Sequence, residues 1–306
     1  MKLALFLALA GLAHATTFFV TVAGLGGEPD YEQRFKAQAD EIDKLIRAGG
    51  PDIKLTTLSG AQATKVQMQS ALSQIAREAK ANDVLVVMLI GHGSFDGIEY
   101  KFNIPGPDIS ATELAGLLDR IPTARQLVVN MTSASGGSRA ALEKPKRAVI
   151  TATKSGSEKN ATVFARYWVE ALRDPTADTD KNDSVSALEA FVYAEQKTGQ
   201  FYDTQKRLAT EHPTLADTGQ GDGVRKPSPE NGEGLLASQI TLLHIGAAQI
   251  TANTPEKKAL LAKREELEQA IDKLKYEKAA MPAEQYKQQL QALLLELAKT
   301  QAELDK

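Results

Sequence analysis

Residues 83–97 read DVLVVMLIGHGSFDG, and residues 126–138 read QLVVNMTSASGGS. Each stretch opens with an unbroken apolar run of strand length, the pattern of a strand buried on both faces. Each run then stops at reactive side chains. The first ends at His92 between Gly91 and Gly93, and the second runs into Thr132, Ser133 and Ser135 ahead of Gly136 and Gly137.

The flanking sequence repeats the theme. TTFFVTVAGLGG (16–27) reads as a buried strand ending in a glycine turn, and IKLTTLSG (53–60) and RAVITAT (147–153) as two more strands. Between them lie helical patterns: Tyr31, Phe35, Ile42, Leu45 and Ile46 at helical spacing, and Leu72, Ile75 and Ala79 behind a Thr64/Gln67 capping box. Ser110 to Glu113 caps a further helix, GSRAALEK (137–144) is a short one, and another spans about 161–173. IEYKFNIPG (98–106) reads as a hairpin arm. Strands near 17, 53, 84, 126 and 147 alternating with helices define an α/β chain, a three-layer sandwich around a mostly parallel sheet. Sites in such sheets lie beyond the carboxyl ends of the strands, where both unusual loops fall.

The remaining segments set the domain organisation. MKLALFLALAGLAHA (1–15) has a basic start, an apolar run from Leu3 to Leu12 and the small-x-small pattern Ala13-His14-Ala15, the features of a secretory signal cleaved near Ala15. The run is too short to span a bilayer, and the expected location is secreted or periplasmic. Residues 16–250 form the main domain. Within it, 204–236 reads as a polar surface excursion and LLASQITLLHIG (235–246) as a returning strand. Residues 251–306 change character, with dense Lys/Glu pairing and stripes at Leu260, Leu267, Ile271, Leu274 and at Tyr286, Leu290, Leu293, Leu297, Leu304. Pro282 interrupts the pattern, so the segment is an antiparallel helical hairpin that folds on itself, packs on the main domain or pairs between copies.

Composition excludes several classes. A net charge of −3 with mixed signs gives no basic footprint for nucleic acid. The chain has no cysteine, so it has neither a disulfide nor a thiol nucleophile. Zinc is disfavoured as well, since His92, His212 and His244 are far apart in sequence and have no cysteine to join them. His212, before a proline, reads as a surface turn residue, His244 as a satisfied core histidine and Asp96 as a loop-surface carboxylate.

At the two strand ends, a neutral His92 is suited to accept a proton from a hydroxyl, and Ser133 in a tight turn is suited to attack a carbonyl. The same residues also fit a plain turn held by side-chain to backbone hydrogen bonds. The serine lies outside a G-x-S-x-G elbow, which sets aside an ordinary α/β-hydrolase.

In order and placement these segments resemble the legumain-like peptidases of the caspase–gingipain fold. His92-Gly93 matches the family's His-Gly after one core strand. Ser133-Ala134-Ser135-Gly136 matches its Cys-x-Ser-Gly after the next, 41 residues on. VAGLGG resembles the first strand, and VITATKSGSEKNATVFARYWVEAL (149–172) the strand and helix after the nucleophile; the likeness covers about 17–200. The resemblance implies a three-layer caspase-like sandwich and cleavage of peptide bonds in a peptide or protein substrate. Ser133 would attack, His92 would relay the proton, and the N–H groups of Gly93 and Ser133 would form the oxyanion hole. Serine stands where the family has cysteine, and no acidic residue flanks it, so the alternative is an inactive caspase-like scaffold that binds peptide or protein partners. The C-terminal helices are placed to self-associate or to cover the cleft.

A second pattern is acidic. In DTDKNDSVSALE (178–189), Asp178, Asp180, Asn182, Ser184, Ser186 and Glu189 occupy positions 1, 3, 5, 7, 9 and 12 of a calcium loop, with Val185 at the apolar eighth. Asp183 replaces the usual glycine at the sixth, where the backbone must turn sharply. The same residues fit an acidic linker in which Ser186 and Glu189 cap the next helix.

Overall fold

The computed structural model describes residues 15–48, 52–220, 222–245 and 254–305. All but the last residue of the leader expected at 1–15, and the domain boundary expected at 250–251, lie outside the described residues.

The chain alternates as the apolar runs dictate. Strand β1 (Thr17–Ala23) leads to helix α1 (Pro29–Arg47), β2 (Ile53–Leu58) to α2 (Lys65–Glu78), and then comes β3 (Val84–Ile90). A small sheet of β4 (Gly93–Phe95), β5 (Tyr100–Phe102) and β6 (Ile109–Ser110) follows, with α3 (Ala111–Leu118) after it. Next are β7 (Arg125–Asn130), α4 (Arg139–Leu142), β8 (Arg147–Thr151) and α5 (Phe164–Ala171). β9 (Ser184–Ser186), α6 (Ala187–Thr204), β10 (Thr214–Ala216), α7 (Leu235–Ser238) and β11 (Thr241–His244) complete the main domain.

The six-stranded sheet has the order β10-β8-β7-β3-β1-β2. Its first five strands in sequence are parallel, and only β10 runs antiparallel, against β8. All seven residues of β3 are buried because the strand is central and covered on both faces. Alternate residues point to opposite cores. Phe19, Val86, Met88 and Val129 meet Phe35, Ile42, Trp168 and Phe191 of α1, α5 and α6 on one face. Val20, Leu85, Val87 and Val128 meet Met68, Leu72, Leu114 and Leu142 of α2, α3 and α4 on the other. The expected three-layer α/β sandwich is present, with a mostly parallel central sheet.

Two segments depart from the sequence reading. The excursion at 204–236 is not wholly surface: Thr214, Leu215 and Ala216 are buried and extend the main sheet. Over the described part of 235–246, up to residue 245, the chain is not one strand. Leu235–Ser238 is a helical turn, and Thr241–His244 pairs with β9 in a separate two-stranded sheet. An apolar run alone does not distinguish a buried helical turn from a strand.

The C-terminal residues form the expected pair of helices, α8 (Pro255–Glu277) and α9 (Ala283–Leu304), broken at Met281-Pro282. α8 is tied to the amino ends of the strands. Arg125, the first residue of β7, bonds Gln239 O and Gln269, Thr241 Oγ1 donates to Glu265, and Tyr276 donates to Glu233 O. Lys258 approaches Asp52, just before β2. These contacts dock the hairpin on the end of the sheet opposite His92 and Ser133, so the expectation that it covers their cleft is not met among the described residues. Its leverage on the body comes from side chains that the heptad-like stripe alone did not flag.

Candidate functional site

The parallel strands wind in opposite directions from the β1/β3 pair, with α1 on one face and α2 and α3 on the other. That reversal puts the switch point at the carboxyl ends of β1 and β3, the position where open sheets of this kind take ligands. Three loops meet there: Gly24–Gly27 after β1, Gly91–Gly93 after β3 and Met131–Ser138 after β7. Gly24 N–H donates to Ile90 O and Met131 N–H to Leu89 O, which clamps the loops to one another.

His92 lies on the α1 side. Its ring packs edge-on against Tyr31 and Phe35, with centroids 4.8 and 5.2 Å away. Burial lowers its pKa from the ordinary value of 6.5, the nearby Arg34 guanidinium lowers it further, and a hydrogen bond to the Gly26 backbone works the other way. The net effect favours the neutral imidazole, the form a base requires.

Ser133 is buried, 3% exposed. Its hydroxyl accepts the Gly93 N–H at 3.1 Å and donates to Gly93 O at 3.0 Å. The chain thus brings Ser133 against the residue next to His92, but the hydroxyl's donor and one acceptor site are turned onto the backbone. The Gly93 N–H, expected to serve an oxyanion, is the same group that Ser133 occupies. Glycine at 93 has a steric cause: a Cβ there would lie 2.4 Å from the Tyr100 hydroxyl and 2.7 Å from Ser133 O.

The other hydroxyls of the loop form a closed network. Tyr100 bonds Thr132 Oγ1 at 2.5 Å and Asn130 Oδ1 at 3.2 Å, and Asn130 Nδ2 donates to Ser138 Oγ at 3.0 Å. Ser138 in turn donates to Ser135 O, and Thr153 Oγ1 accepts Gly136 N–H at 2.9 Å. Ala134 has φ of 55°, the left-handed turn that folds the loop back, and its N–H donates to Glu158 O. Gly136 lies so close to Ser155 that a Cβ would come within 2.2 Å of its nitrogen. The serine-rich composition is therefore explained by buried backbone that needs partners.

His212 is no loose surface residue. Its Nδ1 pairs with Glu158 Oε1 at 2.5 Å, bracing the strand-end loop from outside. Neighbouring Glu211 accepts the N–H groups of Val163 and Phe164 at the start of α5, and burial raises its pKa to about 7. Sequence reasoning missed both roles, since the partners are 48 and 54 residues away. His244 departs from the satisfied core histidine: its buried Nδ1 has no hydrogen-bond partner. Asp96 caps its own turn through Ile98 and Glu99 N–H, as a loop carboxylate should.

The acidic loop gathers Asp178, Asp180 and Glu189, whose carboxylate oxygens lie within 4.8 Å of one another, a cluster able to coordinate a metal ion. Asp178 accepts Asn182 and Asp183 N–H at 3.1 Å each, and Asp183 adopts φ of 59°, the turn required at the sixth position. Burial and the facing Glu189 raise Asp180 to about 6. The hydroxyls of Ser184 and Ser186 are turned inward, to Asn182 Oδ1 and Glu189 Oε2. The capping box of Ser186 and Glu189 is formed too, so the cap and the acidic cluster coexist. From α8, Glu268 bonds Asn182 Nδ2 at 3.2 Å, and Arg264 reaches Asn182 O. No helix among the described residues is long and apolar enough to cross a membrane.

No protein-family model matches this sequence, and no curated protein matches it. Among solved structures, a structural-genomics target from Geobacter sulfurreducens aligns over 76% of this chain and 99% of its own, at 12% identity and a TM-score of 0.49. The Drosophila initiator caspase Dronc aligns over 67% of this chain and 80% of its own, at 10% identity and a TM-score of 0.44. Caspase-1 from Spodoptera frugiperda aligns over 67% and 88%, at 13% identity and a TM-score of 0.44. The likeness is a remote one of fold.

Proposed function

We propose that this chain is a catalytically inactive caspase-like scaffold that binds peptide or protein segments at the carboxyl ends of β1, β3 and β7. One observation carries the reading. The Ser133 hydroxyl is buried and bonded in both directions to Gly93: its proton is donated to the Gly93 carbonyl, and its oxygen accepts the Gly93 N–H, the nearest oxyanion donor. A serine in that state lacks the free, base-activated hydroxyl that acyl transfer needs. The absence of cysteine removes the thiolate that would work without strong activation.

A fluorophosphonate probe and a peptide library applied to the purified protein test this. The expected result is no covalent label and no turnover, with peptide ligands detected by binding alone. The competing reading is hydrolysis by a Ser133–His92 dyad, which draws support from Ser133 touching the residue beside His92. Labelling that disappears in Ser133→Ala would replace the scaffold with that enzyme.

The acidic loop we read as a calcium site, held by Asp178, Asp180 and Glu189 with Asn182 alongside, Ser184 standing at the seventh position, where a backbone carbonyl is the usual ligand. Calorimetric titration with calcium should give heat that Glu189→Gln abolishes; equal heats would refute the site. Export past the membrane follows from the leader at 1–15, and N-terminal sequencing of the native protein should begin near Thr16.

A further inference from the structure

α9 uses one side of its surface against α8. Thr300 and Leu304 are buried there, and Tyr286, Leu290, Leu293 and Leu297 are half-buried on the same side. Leu294 and Leu295 are not on that side. They are 48% and 57% exposed, adjacent members of the small set of large apolar side chains the described fold leaves in water. With Gln291 and Ala298 they line a shallow apolar groove along the outer face of α9.

We propose that this outer face pairs antiparallel with the same face of a second copy of the chain. The seam runs Lys287, Gln291, Leu294, Ala298, Gln301 and Asp305, alternating steps of four and three residues, the 3.5-residue repeat that keeps one stripe facing a partner helix; half-buried Gln301, whose Oε1 accepts from Arg264 of α8 at 3.2 Å, lies at its edge. Reversed on itself about Glu296, the seam is self-complementary. Lys287 meets Asp305 of the second copy, Gln291 meets Gln301, and Leu294 meets Ala298, each pair occurring twice as a two-fold contact requires. A parallel pairing would instead set Lys287 on Lys287 and Asp305 on Asp305, so charge selects the orientation. Leu opposite Ala allows close approach, and the groove supplies the space. Lys287 is 70% exposed and bonded only to the equally exposed Glu284, and Asp305 is exposed and touched by Gln301, so both ends are free to exchange partners. A seam of one 22-residue helix per copy is short, which places the contact at the small end of specific interfaces, on the order of 1,200 Å² in total.

Sedimentation equilibrium of the full chain over a concentration series tests the proposal. The wild type should associate to a dimer, and Leu294→Glu should leave a monomer with an unchanged circular dichroism spectrum. Lys287→Glu and Asp305→Lys should each weaken the dimer roughly tenfold, and less at high salt. The combined variant should return most of the affinity, because the pair is only reversed. Lys287→Cys with Asp305→Cys, in a chain without other cysteines, should form a disulfide-linked dimer under mild oxidation. A wild type that stays monomeric at every concentration, or a charge-reversed double variant no tighter than either single, would overturn the proposal.

Discussion

The loops at the carboxyl ends and the acidic loop at 178–189 both collect side chains that read as chemistry, yet they differ in what satisfies them. Around Ser133 the groups are neutral, buried and bonded in pairs, down to the hydroxyl that both accepts from and donates to Gly93. In the acidic loop, like charges crowd one another, and burial and the facing Glu189 push Asp180 up to about 6. Closed hydrogen bonding is the mark of a structural turn. Carboxylates held together against their repulsion form a cluster able to coordinate a cation.

The largest effect that would sharpen this contrast lies at the strand ends. Gly136→Ala must move backbone at Ser155, and about 3 kcal/mol of stability should be lost in chemical denaturation. A near-neutral result would mean the loop is looser than its hydrogen bonds imply. Next comes the acidic loop: calcium at a hundred times its dissociation constant should raise stability by about 2.7 kcal/mol. Glu189→Gln should remove that gain while keeping part of the helix cap. No thermal shift with calcium would make the two regions alike. Ser133→Ala should cost about 1 kcal/mol, since it strands the Gly93 N–H and carbonyl in a half-buried place. A catalytic serine would show the reverse pattern, with activity lost and stability barely changed.

The smallest effect is in pH. Glu211 titrates near 7 in the folded chain against an ordinary 4.5, so the folded state retains a proton that the unfolded chain releases. Its contribution is complete below about 4.5 and is lost as pH rises through 7. Asp217, raised to about 6 by burial beside Glu233, acts in the same direction. His92 opposes them, because its lowered pKa makes the fold lose stability as pH falls below 6.5. Asp180, raised to about 6, and Glu268, raised to about 7, act with the first two carboxyls, and His244, lowered by burial, acts with His92. With four raised carboxyls against two lowered imidazoles, melting temperature should fall from pH 5 to 8, and Glu211→Gln should flatten the slope.

Much of this architecture was legible in the sequence because it is periodic. The runs in β1, β3, β7 and β8 are apolar because strands covered by helices on both faces have no solvent side, and the helix stripes between them are amphipathic for the complementary reason. The capping boxes at Ser110 and Ser186 and the break at Pro282 were equally readable, being contacts within one turn. β10 was not, since three residues carry too little pattern to distinguish a strand from a loop. Nor were the brace from Glu158 to His212 or the grip of Arg264 and Glu268 on Asn182, which join residues 54 to 86 positions apart.

The sequence by itself determined the layered α/β fold, the paired C-terminal helices and the placing of His92 and Ser133 at strand ends, because local periodicity and chain order fix those. Only the tertiary structure decided how the two groups are bonded there. Whether a hydroxyl is free or bonded depends on which backbone atom a loop 40 residues away presents to it, and that distance is set by packing rather than by pattern.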